Sequence, residues 1–156
     1  MHIEIHGRRD ADAPTLVFSS GLGGAAHFWM PQLDALTSDY RVVLYDQLGT
    51  GKSPAALPAD YSIDAMASEL RTLLASHGIG DYHLIGHALG GLVGLALAMQ
   101  QAPGLRSLTL MNAWSRVSPH TARCFSVRKQ LLAGSGPAAY VEAQALFLYP
   151  PDWIAA

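Results

Sequence analysis

Gly86-His87-Ala88-Leu89-Gly90 has the spacing of a turn that presents one side chain above a sheet. It lies between the short apolar run that ends at Ile85 and a second apolar run from Leu92. In a Gly-x-Ser-x-Gly turn of this kind, strand passes sharply into helix and the central hydroxyl attacks a carbonyl carbon. The glycines are needed because strand and helix pack too closely to leave room for Cβ atoms. Here the central residue is Ala88, which has no atom able to attack a carbonyl. Serine-type covalent catalysis at this position is therefore excluded.

Other segments invite chemistry of their own. Ser20-Gly21-Leu22-Gly23-Gly24 follows one predicted strand and precedes a helical turn, so its N–H groups are free to meet an oxyanion or phosphate. Gly21-Leu22-Gly23 opens like a dinucleotide fingerprint, but the third glycine would fall at Ala26, and no cofactor is expected. Gly49-Thr50-Gly51-Lys52-Ser53 resembles a phosphate-binding loop, yet Asp46 stands where the first glycine belongs and a Pro-containing loop follows. His87 adjoins the elbow and is placed either to donate to a bound anion or simply to pack there; His27 lies just past the glycine loop. The remaining histidines, His2, His6, His77, His83 and His120, have no mutual spacing that suggests a metal site. Asp46 closes a strand, where capping the next turn is its expected duty. Trp29, Trp114, Phe125, Phe147 and Tyr149 suit either a small apolar cavity or ordinary packing.

These residues need a scaffold, and the pattern supplies one. Ile3-Glu4-Ile5-His6 alternates as an edge strand does. Strands are predicted at Thr15 to Phe18, Arg41 to Tyr45, Tyr82 to Ile85 and Leu105 to Met111. Helices are predicted from Ser62 as cap to about His77, and from Ala88 to about Gln101, with one or two helical turns between Ala26 and Leu36. In those turns Phe28, Trp29, Leu33 and Leu36 are expected to face inward. Alternation of this kind implies an α/β protein with a mostly parallel sheet flanked by helices. From Trp114 the texture becomes helical, so residues 1–113 read as core and 114–156 as the beginning of a helical cap.

Composition narrows the class. At 156 residues, half of them hydrophobic, 14% charged and with a net charge of -2, the chain carries no electrostatic footprint for nucleic acid or anionic membrane. No basic leader follows Met1, and the apolar stretch Leu84 to Met99 is too short and glycine-rich to span a bilayer. The lone Cys124 cannot form an internal disulfide, which fits a cytoplasmic setting.

Ser19 to Gly24, Asp46 to Gly51 and Gly86 to Gly90 resemble, in order and spacing, the landmark segments of α/β-hydrolases. More narrowly, the chain is similar to the α/β-hydrolase-fold family of the Rut pathway of pyrimidine degradation. Tyr45-Asp46-Gln47, Asp60-Tyr61-Ser62-Ile63, Arg123-Cys124-Phe125 and Glu142 to Pro150 carry that likeness, and alanine at the elbow belongs to it. The resemblance implies uracil catabolism, with hydrolysis of carbamate or 3-aminoacrylate. It also implies a longer chain, whose later strands, acidic triad member and catalytic histidine would follow Ala156. An incomplete sheet would leave an edge open to association with another chain. The N–H groups of Leu22 and Leu89 are the expected oxyanion pair, with Gly21 and Gly23 shaping the loop and His87 a candidate for proton transfer. The competing readings are a degenerate hydrolase fold that binds a small carboxylate or a protein, and an esterase disabled by Ser→Ala.

Overall fold

The computed structural model describes residues 1–155, which fall into two units, Met1–Ser115 and the residues from Arg116 onward. In the first unit five short strands form one sheet: β1 (Ile3–Gly7), β2 (Thr15–Ser19), β3 (Arg41–Tyr45), β4 (Tyr82–His87) and β5 (Leu105–Met111). Their order is β1-β3-β2-β4-β5, with β1 antiparallel to β3 and every other pair parallel. The expected mostly parallel α/β sheet is therefore present. β4 runs past Ile85 to His87, because the β5 ladder continues through the pairing of His87 with Met111.

Successive strand residues point to opposite faces, and the sheet uses both. Val17, Val43, Tyr45 and Leu84 pack on one face against α2 (Ile63–Ser76) and α3 (Leu89–Met99). Phe18, Val42 and Leu44 pack on the other, against Ala26, Trp29 and Leu33 of the 3-10 segment Ala26–Gln32 and the short helix α1 (Leu33–Leu36). Trp29 and Leu33 are thus inward as expected, but Phe28 is 50% exposed, because its ring lies against His87 instead of entering the core.

α2 begins where Ser62 Oγ accepts the Ala65 N–H at 3.2 Å, the expected N-cap. It buries Met66, Ala67, Leu70, Leu73 and Leu74 as one stripe, each large apolar side chain contributing roughly 1.5–3 kcal/mol. α3 is buried nearly all round, and its small residues let it approach the sheet. A Cβ on Gly94 would lie 2.5 Å from Leu108 Cδ1 and 2.6 Å from Leu84 Cδ2. The helix stops at Met99, two residues short of the expected end, where Gln101 turns to φ 51°.

The second unit is helical among its described residues. α4 (Pro119–Leu148) is interrupted at Gly136, whose φ of 82° and ψ of 179° are not helical, with Pro137 following. Ser118 caps its start through the Thr121 N–H at 3.1 Å. Arg128 lies over the Phe125 and Tyr140 rings and donates to the Tyr140 hydroxyl at 2.9 Å. α5 (Pro151–Ile154) follows, with Trp153 stacked on Tyr149 at 4.0 Å.

Candidate functional site

The strand order itself locates a crevice. From the central β2 the chain moves to β3 on one side, whereas from the adjacent β4 it moves to β5 on the other. Loops leaving β2 and β4 therefore diverge, and in open α/β sheets ligands bind outside the carboxyl ends of strands at such a switch point. The loop after β2 is Ser20 to Ala25, and the turn after β4 is centred on Ala88. Pairing of Ser19 with Gly86 sets the two side by side.

Ala88 has φ 49° and ψ -114°, in the left-handed region that costs a residue with a Cβ about 1–3 kcal/mol. The flanking glycines are obligatory. A Cβ on Gly86 would stand 2.6 Å from Gly90 O and Gly91 Cα, and one on Gly90 would stand 2.1 Å from Ser19 O. The elbow expected from the sequence is thus built in full around a methyl group. Relieving its strain is expected to outweigh the added freedom of the unfolded chain, so Ala88→Gly should gain about 1 kcal/mol of stability. The same change at Ala96, inside α3, should lose about 1 kcal/mol. Urea unfolding of the two variants checks the pair, and a loss at both positions would mean the elbow stores no strain.

The glycine loop lies directly against this turn. A Cβ on Gly21 would come within 3.1 Å of His87 Nδ1 and 3.4 Å of Ala88 Cβ. Gly23, at φ 74°, turns the loop, and the Gly24 N–H closes it onto Gly21 O at 3.0 Å. The N–H groups of Leu22 and Leu89 make no hydrogen bond among the described residues, and Leu22 is 59% exposed. His87 stacks on Phe28 with ring centroids 5.0 Å apart, and the Trp29 ring meets it edge-on at 6.5 Å. Its ring nitrogens likewise carry no hydrogen bond among the described residues. The structure therefore gathers Gly21, Leu22, Gly23, His87, Ala88 and Leu89 in one place. His27 is exposed on the 3-10 segment.

Three consecutive residues, the last of β3 and the two after it, hold the glycine loop and the residues that flank it, and of the three only Asp46 is expected from the sequence to have a structural duty of this kind. Tyr45 places its buried hydroxyl 2.7 Å from Ser19 Oγ. Burial pushes that phenol up to about 12, against the lowering effect of hydrogen bonds from Ser19 and Gln47. Asp46 accepts the Ala26 N–H through Oδ1 and the Lys52 N–H through Oδ2, both at 2.7 Å. Its role is broader than capping the next turn, since it ties that turn to the start of the 3-10 segment. Gln47 Nε2 donates to the Ser20 carbonyl at 2.9 Å. Only burial distinguishes Gln47 from a surface glutamine, and burial has no sequence period in a loop.

The segment Gly49 to Ser53 is a closed turn. Its N–H groups at Gly49, Thr50, Lys52 and Ser53 are spent on Ser53 O, Gln47 O, Asp46 Oδ2 and Thr50 O, so they cannot cradle a phosphate. The other histidines have local partners: His2 and His6 meet Glu4, His77 meets Leu73 O, His83 meets Ser107, and His120 lies near Cys124. Those contacts hold Glu4 down at about 2, with His2 the largest cause and Lys52 next. Among the described residues no group of three or more His, Cys, Asp or Glu is arranged to hold a metal ion. No described helix is long and apolar enough to cross a membrane.

An elbow after β4, a glycine loop after β2 and a mostly parallel sheet with helices on both faces together define a fold class. Residues 14–140 match the model of the α/β hydrolase fold family, and the chain belongs to that family. The solved structures agree. The enol-lactonase from Burkholderia xenovorans LB400 superposes with a TM-score of 0.85 at 29% identity, over 99% of this chain and 58% of that one. A hydrolase from Pseudomonas aeruginosa PA01 gives 0.84 at 27% identity, over 98% of this chain and 56% of that one. Within the family, the chain is 67% identical over all its 156 residues to RutD of Stutzerimonas stutzeri strain A1501, a protein provisionally named a carbamate hydrolase, and covers 59% of it. RutD of Escherichia coli O44:H18 strain 042, named in the same way, is 53% identical over 146 residues, 94% of this chain and 54% of that protein. The chain spans about 60% of the length of the curated relatives it matches.

Proposed function

We propose that this chain is the elbow-bearing part of a hydrolase that speeds the breakdown of a small, already labile carbamate, or of 3-aminoacrylate, in pyrimidine catabolism. The observation that carries this reading is the elbow at Ala88. A strained turn is kept around a residue that cannot attack, while the Leu89 and Leu22 N–H groups beside it remain unspent. Without a nucleophilic hydroxyl, the instruments left are oriented donors and a base. Water attacks the carbamate carbon, the carboxylate oxygens gather charge, and the two N–H groups stabilise it. One such donor is worth roughly 3 kcal/mol where it has been tested. His87, or a histidine of the longer protein outside this chain, takes the proton from the attacking water and passes it to the departing nitrogen as the C–N bond breaks, giving ammonia and bicarbonate. The similarity to proteins named carbamate hydrolases supports the substrate class.

The helical unit from Arg116 serves in this reading as the beginning of a cap. A cytoplasmic location fits the single cysteine. Ala88 also favours a second reading, a binding protein for small carboxylates that turns nothing over. One experiment separates the two: carbamate decay and ammonia release measured with the intact protein against a buffer blank. Saturable acceleration is the expected result. Saturable binding at the blank rate would replace the hydrolase with the binding protein.

A further inference from the structure

We infer that Gln47 is the positioning residue that sets the direction of the Leu22 N–H, an inference that rests on reading that N–H as a substrate donor. The glycine loop cannot hold its own orientation. Gly21, Gly23 and Gly24 supply three of its five residues from Ser20 to Gly24, and glycine has the widest conformational range of any residue. Its internal bonds, from the Gly24 N–H to Gly21 O and from Ser20 Oγ to Ala25 O, both at 3.0 Å, close the loop on itself but do not tie it to the sheet. What fixes it to the sheet is its two ends. At the far end Asp46 holds the Ala26 N–H. At the near end Gln47 Nε2 holds the Ser20 carbonyl at 2.9 Å.

The near end governs the donor. A peptide is planar and trans, so fixing the Ser20 carbonyl fixes the whole Ser20–Gly21 unit, with the Gly21 N–H on the side away from Gln47. The next peptide carries the Leu22 N–H, and only the two Gly21 dihedrals lie between. Gly21 is in turn confined by the elbow, since a Cβ there would meet His87 Nδ1 at 3.1 Å. Gln47 and Ser20 are 4% and 1% exposed, so water cannot stand in for the missing bond. Among the described residues Gln47 is the one donor to that carbonyl, and a buried carbonyl that loses its donor must turn to find another, so the loop turns with it. Asp46 also ties down Lys52 through its side chain, so its loss disturbs two loops, whereas the Gln47 side chain bonds this loop and only the Gln47 backbone carbonyl, which a substitution keeps, receives Thr50.

The test uses the intact protein and two variants. Gln47→Met keeps the volume and removes the donor; Gln47→Glu sets an acceptor against the Ser20 carbonyl. In both, the backbone amide resonances of Gly21 and Leu22 should move, while that of Leu89, held by the elbow, stays. The carbamate kcat should fall roughly 100-fold with KM within about twofold, the signature of a donor lost in the transition state. In the wild type, the Gln47 side-chain amide protons should exchange slowly with solvent, which needs no variant to fold. Rapid exchange there, or unmoved Gly21 and Leu22 amides in either folded variant, overturns the inference. A wild type that leaves carbamate decay at the blank rate defeats the hydrolase reading alone, because the amide shifts and the exchange still decide the role of Gln47.

Discussion

Gly90→Ala is expected to cost about 3 kcal/mol or more of folding stability. The new Cβ would lie 2.1 Å from Ser19 O, 2.4 Å from Ser19 C and 2.7 Å from Ser19 Oγ. Two of those atoms are backbone of the central strand β2, which is held by β3 on one side and β4 on the other. Neither strand nor helix yields cheaply, and overpacking of this kind usually costs about 1–3 kcal/mol even where side chains can give. For a chain of this size each kcal/mol lowers the thermal midpoint by about 2–4 °C, so a fall of about 6–12 °C is expected. Gly80→Ala is the control, because nothing stands within 4 Å of a Cβ there. Equal midpoints for the two variants in a calorimetric scan would show that α3 can retreat from β2 without penalty.

Asp46→Ala is the second large effect, with an expected loss of about 2–5 kcal/mol. Its carboxylate is the partner of two backbone donors, the Ala26 and Lys52 N–H groups, and the residue is 3% exposed. Leaving a buried donor without a partner costs about 1–3 kcal/mol each, and here two are stranded together. Gly51 makes the loss harder to repair. Its own Cβ position would fall 2.4 Å from Asp46 Oδ2, so the loop is moulded to the carboxylate. Asp46→Asn keeps one acceptor oxygen but turns a donor toward the other N–H, and is expected to recover about half of the loss. Urea unfolding of the three proteins checks the order. An alanine variant as stable as wild type would mean that the loops after β2 and β3 stand without the carboxylate.

The sheet and its helices were legible because their signals are periodic. The α2 stripe from Met66 to Leu74 follows helical geometry, and the unbroken apolar run Val42 to Tyr45 marks a strand buried on both faces. The elbow was legible for a different reason: Gly86 and Gly90 are demanded by packing so close that few other sequences fit. Phe28 departs from its expected place in the core because an aromatic beside Trp29 has the same spacing whether it faces the sheet or a histidine from a distant strand. Gln47 carried no local signal for its task, since its partner Ser20 lies 27 residues away and neither residue type advertises burial. The end of α3 falls two residues before the expected one for a similar reason. The turn at Gln101 depends on a positive φ that the sequence of an alanine-rich helix end does not announce.

The methyl group at the elbow has an evolutionary consequence. Every alanine codon becomes a serine codon by a change at its first base. At most positions such a change would place a hydroxyl in a rotamer and a backbone that do nothing with it. At position 88 the backbone already has φ 49° and ψ -114°, the glycines already make room, and an imidazole already adjoins. No remodelling stands between this scaffold and one that presents a hydroxyl to its ligand. A library confined to position 88 is therefore the shortest mutational path from this turn to acyl-transfer chemistry, and the most direct way to learn what the alanine keeps out.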